Sequence, residues 1–550
     1  MSINNKKPSE AYNLFILKGI KKASTQEFNE AEINFLDAIK MNPKRHEAFL
    51  NLSNVYILQN KLDDCLKILF DYISKNKFNE YISNHLAKIC INYNLKLELL
   101  RLFETINLNN STIEKKKQFL FFTQGQYFEN QELYSDAIKS YLKSISSDNY
   151  FFQSYIKVFD LYENTNNIIE LEKYINLASR KFKNKDQLDV LLVYKCLLLN
   201  RQKKFKDSED LLNKNKIKLK FKNNNNYLLK VLNVQLKNSE NLNNYKNALK
   251  IVKERNTLLS NFNENKIYNK SKISNTLKSY KKFFTKSNFQ IIKSRLKYQN
   301  DKNLVFLVGF PRSGTTLLDT ILRSHSKIKV LEEKPYLLEL RHKFFRNKNN
   351  NLKSLLEITQ NEKDEIRNNY LEKIITKKND KDKIIIDKLP LSIIELGFIK
   401  CIFPNSKIIF SMRHPSDVVI SCYFSSFKIN EAMVNFLQWN DTLNFYNQVL
   451  DLFDFYEKEL ELDYFLIKYE NIIYNFQKQI KKLINYLNLK YEKNLENFFI
   501  TAQKRTKIST PSYDQVIQPL YTKSIGRWKN YSQYLNSQTE LKKWIKKYKY

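Results

Sequence analysis

At 550 residues and a formal net charge of +36, the chain is too long for one ordinary domain and is strongly basic. Its lysines are spread along the whole length, with no concentrated basic arm, zinc-finger spacing or RNP motif, which argues against nucleic acid as the main partner. Five cysteines (Cys65, Cys90, Cys196, Cys401, Cys422) stand far apart without a C-x-x-C, and no apolar run approaches the ~20 residues of a membrane span. The composition therefore predicts a soluble, cytoplasmic protein without disulfides, membrane contact or nucleic-acid partner.

Residues 12–45 carry Gly19, Ala31, Phe35, Ala38 and Pro43 at the offsets of a 34-residue tetratricopeptide (TPR) unit. Gly19 and Ala31 are small where two helices cross, Phe35 fills the crossing and Pro43 closes the second helix. Residues 46–79 repeat the pattern with Phe49, Leu52, Tyr56, Cys65 and Leu69, and residues 118–151 with Phe121, Gly125, Phe128, Ala137, Tyr141 and Ser144. Weaker copies contain Tyr155, Tyr162 and Ala178, then Cys196, Ser208 and Leu212; residues 80–117 read as helical but degenerate. The expectation is a TPR-like α-solenoid over residues 1–235, presenting a groove to a protein or peptide, followed by a helical connector over 236–300. A purely structural helical platform stays open.

The character of the chain changes at residue 301. Leu304 to Val308 read as a buried strand, Gly309-Phe310-Pro311-Arg312-Ser313-Gly314 as a turn, and Thr315 as the start of a helix with Leu317, Leu318, Ile321 and Leu322 inside. Strand, glycine-bounded loop and helix N-terminus make an anion site. The spacing is that of a P-loop, but Thr315 stands where an NTPase has lysine, and the loop's positive charge is Arg312. Further short apolar runs end in polar residues: Lys383–Asp387 before Lys388, Lys407–Met412 before Arg413, and Tyr464–Tyr469 before Glu470. Their alternation with helices predicts a parallel α/β sheet over residues 301–550, with ligands beyond the strands' carboxyl ends.

Pro311-Arg312-Ser313-Gly314-Thr315-Thr316 resembles the 5′-phosphosulfate loop of sulfotransferases, whose donor is 3′-phosphoadenylyl sulfate (PAPS). Residues 304–535 resemble the tyrosylprotein sulfotransferase family more closely. After the loop come His325 and the acidic pair Glu332-Glu333. Asp387-Lys388-Leu389-Pro390 is similar to that family's segment around a catalytic lysine, Arg413 with Ser421 to its 3′-phosphate site, and Tyr469-Glu470 to a donor contact. Ser512 to Pro519, with Gln515, and Gly526-Arg527-Trp528 resemble its closing loop, with Arg527 where a lysine is usual. The resemblance implies Glu333 as base, Lys388, Ser512 and Arg312 at the transferred sulfate, and Pro311–Thr316, Arg413, Ser421, Tyr469, Gln515 and Arg527 around the donor, with no metal.

Two features depart from the family: Lys334-Pro335 differ from its Thr-Arg, and an array replaces its membrane anchor. The implied function is sulfuryl transfer from PAPS to a hydroxyl, expected on protein tyrosine delivered by the array, with the basic field favouring acidic flanks. A carbohydrate or small-molecule hydroxyl is the alternative acceptor. A histidine base (His325, His342 or His414), a nucleotide kinase and a scaffold with an inactive transferase domain are the competing readings.

Overall fold

The computed structural model describes residues 8–108, 113–298, 301, 303–380, 382–503 and 519–550. The chain separates into two compact units, Met1–Tyr194 and Lys195–Tyr550. The sequence placed its boundaries at 235 and 300 instead, so the helices of 195–300 are grouped here with the α/β domain.

The first unit is a helical repeat-like array. Ten helices run among its described residues from Pro8–Ser24 to Ile168–Lys181. The repeat is written in the backbone as well as in the side chains. Gln26, Asn60 and Asn94 take positive φ at 34-residue intervals, and so do Glu132 and Asn166. Each ends a helix in the same way. The amide of Lys61 donates to the Tyr56 carbonyl (2.8 Å) and that of Asn60 to Ile57 (3.0 Å), and the amides of Leu95, Leu133 and Asn167 repeat the first of these, each donating to the carbonyl five residues back. This left-handed cap satisfies the last carbonyls and turns the chain back on itself. At the crossings, a Cβ on Gly19 would sit 2.5 Å from the Phe35 ring, and one on Gly125 would sit 2.5 Å from Tyr141. Any larger residue there would push the paired helices apart.

In the second unit, five parallel strands are ordered β2-β3-β1-β4-β5: β1 Leu304–Gly309, β2 Ile328–Glu332, β3 Ile384–Lys388, β4 Lys407–Met412 and β5 Tyr464–Lys468. Successive residues of β1 serve opposite faces. Leu304, Phe306 and Val308 enter one core and Val305 and Leu307 the other, as a sheet covered on both sides requires. The sequence marked four clear strands. The short β2, with Lys329 and Glu332 interrupting its apolar residues, is the one it left as a run into the acidic pair. The strand order reverses around β1, which puts the loop after it between β3 and β4 at the sheet's switch point.

Helices α1 (Asn225–Asn241), α2 (Tyr245–Ser260) and α3 (Lys270–Phe283) belong to this unit. Leu232, Leu236, Leu249 and Val252 of α1 and α2 share a buried cluster with Tyr423 and Phe424 of α4 (Pro415–Phe424), the helix after β4. No helix among the described residues is long and apolar enough to cross a membrane.

Candidate active site

The loop after β1 is shaped by what surrounds it. A Cβ on Gly309 would fall 2.6 Å from the Ser411 carbonyl oxygen of β4, and Gly314, at φ 99°, lies against the Tyr469 ring. Only glycine permits either approach. Ser411 Oγ donates to the Ser313 carbonyl (2.9 Å) and Cys422 Sγ to that of Pro311 (3.2 Å), fixing the loop from behind. Arg312 is held at φ 69° and its Nε donates to Ser421 Oγ (3.0 Å).

Three guanidiniums converge beside this loop. Burial, together with the charges of Arg413 and Arg527, pushes the Arg312 guanidinium down to about 10, so it stays charged at neutral pH. Buried Arg413 lies 5.2 Å over the Tyr469 ring, donates to the Ser524 carbonyl, and is 3.8 Å from Asp417. Its Nε and the Ser313 hydroxyl are buried and meet no hydrogen-bonding partner among the described residues. A cluster of like charges with spare donors beside a helix N-terminus is the chemistry of a phosphate or sulfate site. The residues therefore fit a polyanionic donor.

On the other side of the loop stands a carboxylate cluster around one lysine. Lys388, at the end of β3, is fully buried. Its Nζ lies 2.8 Å from Glu333 Oε1, 3.6 Å from Glu332 and 3.8 Å from Asp319. Glu333 is the residue after β2 and turns out of the sheet at φ 50°, its amide donating to the Lys388 carbonyl (2.8 Å). A non-glycine residue in that conformation is uncommon, and here it aims the carboxylate into the cavity.

The cavity is about 960 Å³. Pro311, Arg312, Gly314, Thr315, Thr316, Glu333, Arg413 and Tyr469 border it, all anticipated from the sequence. Lys388 and Ser421 form the layer behind, bonded to Glu333 and Arg312 of those walls, and Ser313 lies within the loop itself. Arg527 is held by Glu240 of α1, with Nε at 3.0 Å and Nη2 at 2.5 Å. Ser512 and Gln515 lie outside the described residues.

The histidines have other work. His325 is buried, with Nε2 2.8 Å from the Lys490 carbonyl and Nδ1 accepting from the Lys327 amide (3.0 Å). His414 caps α4 by accepting from the Ser416 amide (3.2 Å) and stacks on Trp528. His342 does border the cavity; burial and the neighbouring Arg341 lower its pKa.

Several site residues were not singled out from the sequence. Asp319 was readable as a carboxylate on the buried side of an apolar helix. Arg341 and Glu395 form a buried pair (3.0 Å) that also engages the Tyr280 hydroxyl of α3; nothing local pointed to this, because the partners are 54 and 61 residues apart. No group of three or more His, Cys, Asp or Glu among the described residues is placed to hold a metal ion.

Residues 305–493 match the model of the family described as "Sulfotransferase family". They form a sulfotransferase domain. An uncharacterized protein of Aquifex aeolicus is 26% identical to the chain over 251 residues, which is 44% of this chain and 32% of that protein. Protein-tyrosine sulfotransferase 1 of Danio rerio is 26% identical over 241 residues, covering 42% of this chain and 67% of the relative. The similarity thus spans about a third to two thirds of these relatives. Among solved structures, the sulfotransferase domain of the Synechococcus PCC 7002 olefin synthase aligns at 17% identity and a TM-score of 0.34, over 46% of this chain and 98% of that one.

Proposed function

We propose that the sulfotransferase domain transfers a sulfuryl group from PAPS to a hydroxyl acceptor by in-line displacement, with Glu333 as the base. The observation that carries this is the Glu333 carboxylate, aimed into a cavity that also contains the arginine-flanked loop, and bonded to a buried lysine. The acceptor oxygen forms a bond to sulfur as the bond from sulfur to the 5′-phosphate oxygen breaks. Glu333 takes the acceptor proton and the departing bisphosphate keeps the electron pair. A phenol of pKa ~10 keeps its proton at neutral pH, so a positioned carboxylate lowers the barrier. Lys388 and Arg312 lie where negative charge gathers on the moving group and the bridging oxygen. Arg413, Ser421 and Arg527 would serve the 3′-phosphate, and Ser313, Thr315 and Thr316 the 5′ side. A nucleotide kinase is disfavoured by Thr315 in place of the P-loop lysine.

The donor reading is tested by calorimetry on the full chain. Adenosine 3′,5′-bisphosphate is expected to bind at least ~10-fold more tightly than 5′-AMP, the margin of one charge-assisted phosphate contact. Equal affinities would remove the 3′-phosphate site.

For the acceptor, we infer protein tyrosine, supported by the relatives' printed activity and by an array of TPR-like repeats able to hold a polypeptide. Tethering would raise the local acceptor concentration and so act on KM. One observation favours the second reading, a small apolar hydroxyl compound. Two of the cavity's cations are paired with carboxylates, Lys272 with Glu431 (2.7 Å) and Arg341 with Glu395, while Ile273, Leu338, Ile394 and Phe427 supply apolar wall. That balance weakens the expectation of acidic flanks. Incubating the protein and sulfur-labelled PAPS with a lysate of its own cells separates the readings. Label recovered as tyrosine O-sulfate is the expected result; label confined to glycans or small molecules would replace it with the alternative. No label in any fraction would favour an inactive domain on a scaffold.

A further inference from the structure

Arg527 sits in a segment fixed at both ends by residues far away in sequence. Gly526, at φ 74°, and Trp528 donate their amides to the two oxygens of Asp417 on α4 (2.8 and 2.9 Å). From the opposite side, Glu240 on α1 accepts from Arg527 and from the Tyr531 hydroxyl (2.8 Å), and the neighbouring Asn241 accepts from Lys523 (2.9 Å). Phe424 of α4 lies under the guanidinium at 4.9 Å. Glu240 uses the Nε and Nη2 edge of Arg527, so the Nη1 edge is the one the ion pair does not engage.

The next helix grips the same element. Arg255 of α2 is buried and donates to the carbonyls of Phe424 (2.9 Å), Tyr423 (3.3 Å) and Ser425 (3.4 Å), while Asn256 donates to Tyr423 (3.2 Å). A cation on the last carbonyls of α4 satisfies that helix's orphan acceptors and its negative dipole end. Helix α4 carries Ser421, the hydroxyl bonded to Arg312. Both α1 and α2 lie outside the residues matching the sulfotransferase family, yet their polar side chains meet the two elements read as the 3′-phosphate site. Three mutually repelling guanidiniums need an anchor if one is to stay in a fixed orientation, and Glu240 is the carboxylate that holds Arg527.

We propose that Glu240 is a positioning residue for donor recognition, orienting Arg527 toward the 3′-phosphate from the helical segment that precedes the sulfotransferase domain. This rests on the donor reading above. The test is calorimetric titration of the full chain with adenosine 3′,5′-bisphosphate and with 5′-AMP. Glu240→Gln keeps the shape and removes the charge. It is expected to weaken the bisphosphate ~10-fold and 5′-AMP by less than ~2-fold, with partial recovery in Glu240→Asp. In an Arg527→Ala background the same change should have no further effect, since its action runs through that side chain. Unchanged bisphosphate affinity in Glu240→Gln, or an equal loss of both ligands, would overturn the proposal and leave Glu240 a structural brace. If Glu240→Gln does not fold, Tyr531→Phe loosens the same carboxylate and keeps the ring. A loss confined to the bisphosphate supports the proposal, and no loss overturns it. A wild-type protein that does not prefer the bisphosphate would instead defeat the donor reading, which keeps the two failures apart.

Discussion

Replacing Glu333 by glutamine is expected to lower turnover by ~10²-fold or more while leaving the affinity for adenosine 3′,5′-bisphosphate within about twofold of wild type. The substitution is nearly isosteric. Its amide oxygen can still accept from Lys388 Nζ, now 2.8 Å from the carboxylate, so the geometry around the lysine should survive. What is lost is the capacity to take a proton. The donor's phosphates, in the proposed reading, contact the arginine cluster on the other side of the loop, so their binding has no reason to change. The informative control is His342→Ala, because His342 is the histidine that borders the cavity. Turnover abolished in His342→Ala and retained in Glu333→Gln would transfer the base to the histidine.

Lys388→Met should have the second large effect, and on two separate properties. The Lys388 side chain is fully buried and faces the carboxylates of Glu333, Glu332 and Asp319 within 3.8 Å. Methionine is of similar length and fills the space, but Glu332 and Glu333 then face each other without the lysine, and Asp319 keeps only its pair with Arg323 (2.7 Å). Breaking a buried charge network from one side typically costs about 3–5 kcal/mol, a large share of a domain's stability. Turnover should fall ~10²–10³-fold as well, because a preorganised charge at the developing negative centre is lost. Adding Glu332→Gln, the carboxylate 3.6 Å from the lysine, separates the two effects. The double variant should regain part of the lost stability in urea denaturation and none of the lost turnover. Full turnover in Lys388→Met would mean that the lysine only balances charge.

The parts of this site that were legible in the sequence share one property: they are local. Arg312, Ser313 and Thr315 could be placed because a strand, a glycine-bounded loop and a helix start follow one another within a dozen residues. Lys388, Arg413 and Tyr469 could be placed because each stands at the end of an apolar run, and a parallel sheet carries such positions to one edge. The repeat was legible through Gly19, Phe35, Gly125 and Tyr141, whose sizes are complementary at the crossings. The helix caps were less legible. Asn60, Asn94 and Asn166 occupy left-handed caps, a conformation asparagine tolerates better than most residues, but in an asparagine-rich chain nothing sets these three apart. What the sequence could not disclose were partnerships across long separations. Arg527 read as a donor residue from its motif, but nothing near Glu240 in the chain announces an arginine 287 residues away. The same holds for Arg255, which looks like a solvated helix charge and is buried against the end of α4.

That placement of Glu240 and Arg255 changes what counts as a transplantable piece of this protein. The stretch recognisable by kinship begins at residue 305, and a designer shuffling domains would cut just before it. Such a cut would discard the two helices that grip α4 and the Gly526–Trp528 segment, leaving Leu535, Tyr531 and Phe424 with an uncovered apolar face. The smallest cassette worth moving into another chain therefore starts upstream of α1, ahead of the helix Lys185–Arg201 that runs through the boundary between the compact units. The same reasoning bears on inheritance. A lineage that exchanged its array by recombination would be constrained to join upstream of α1, because those helices must travel with the sulfotransferase domain.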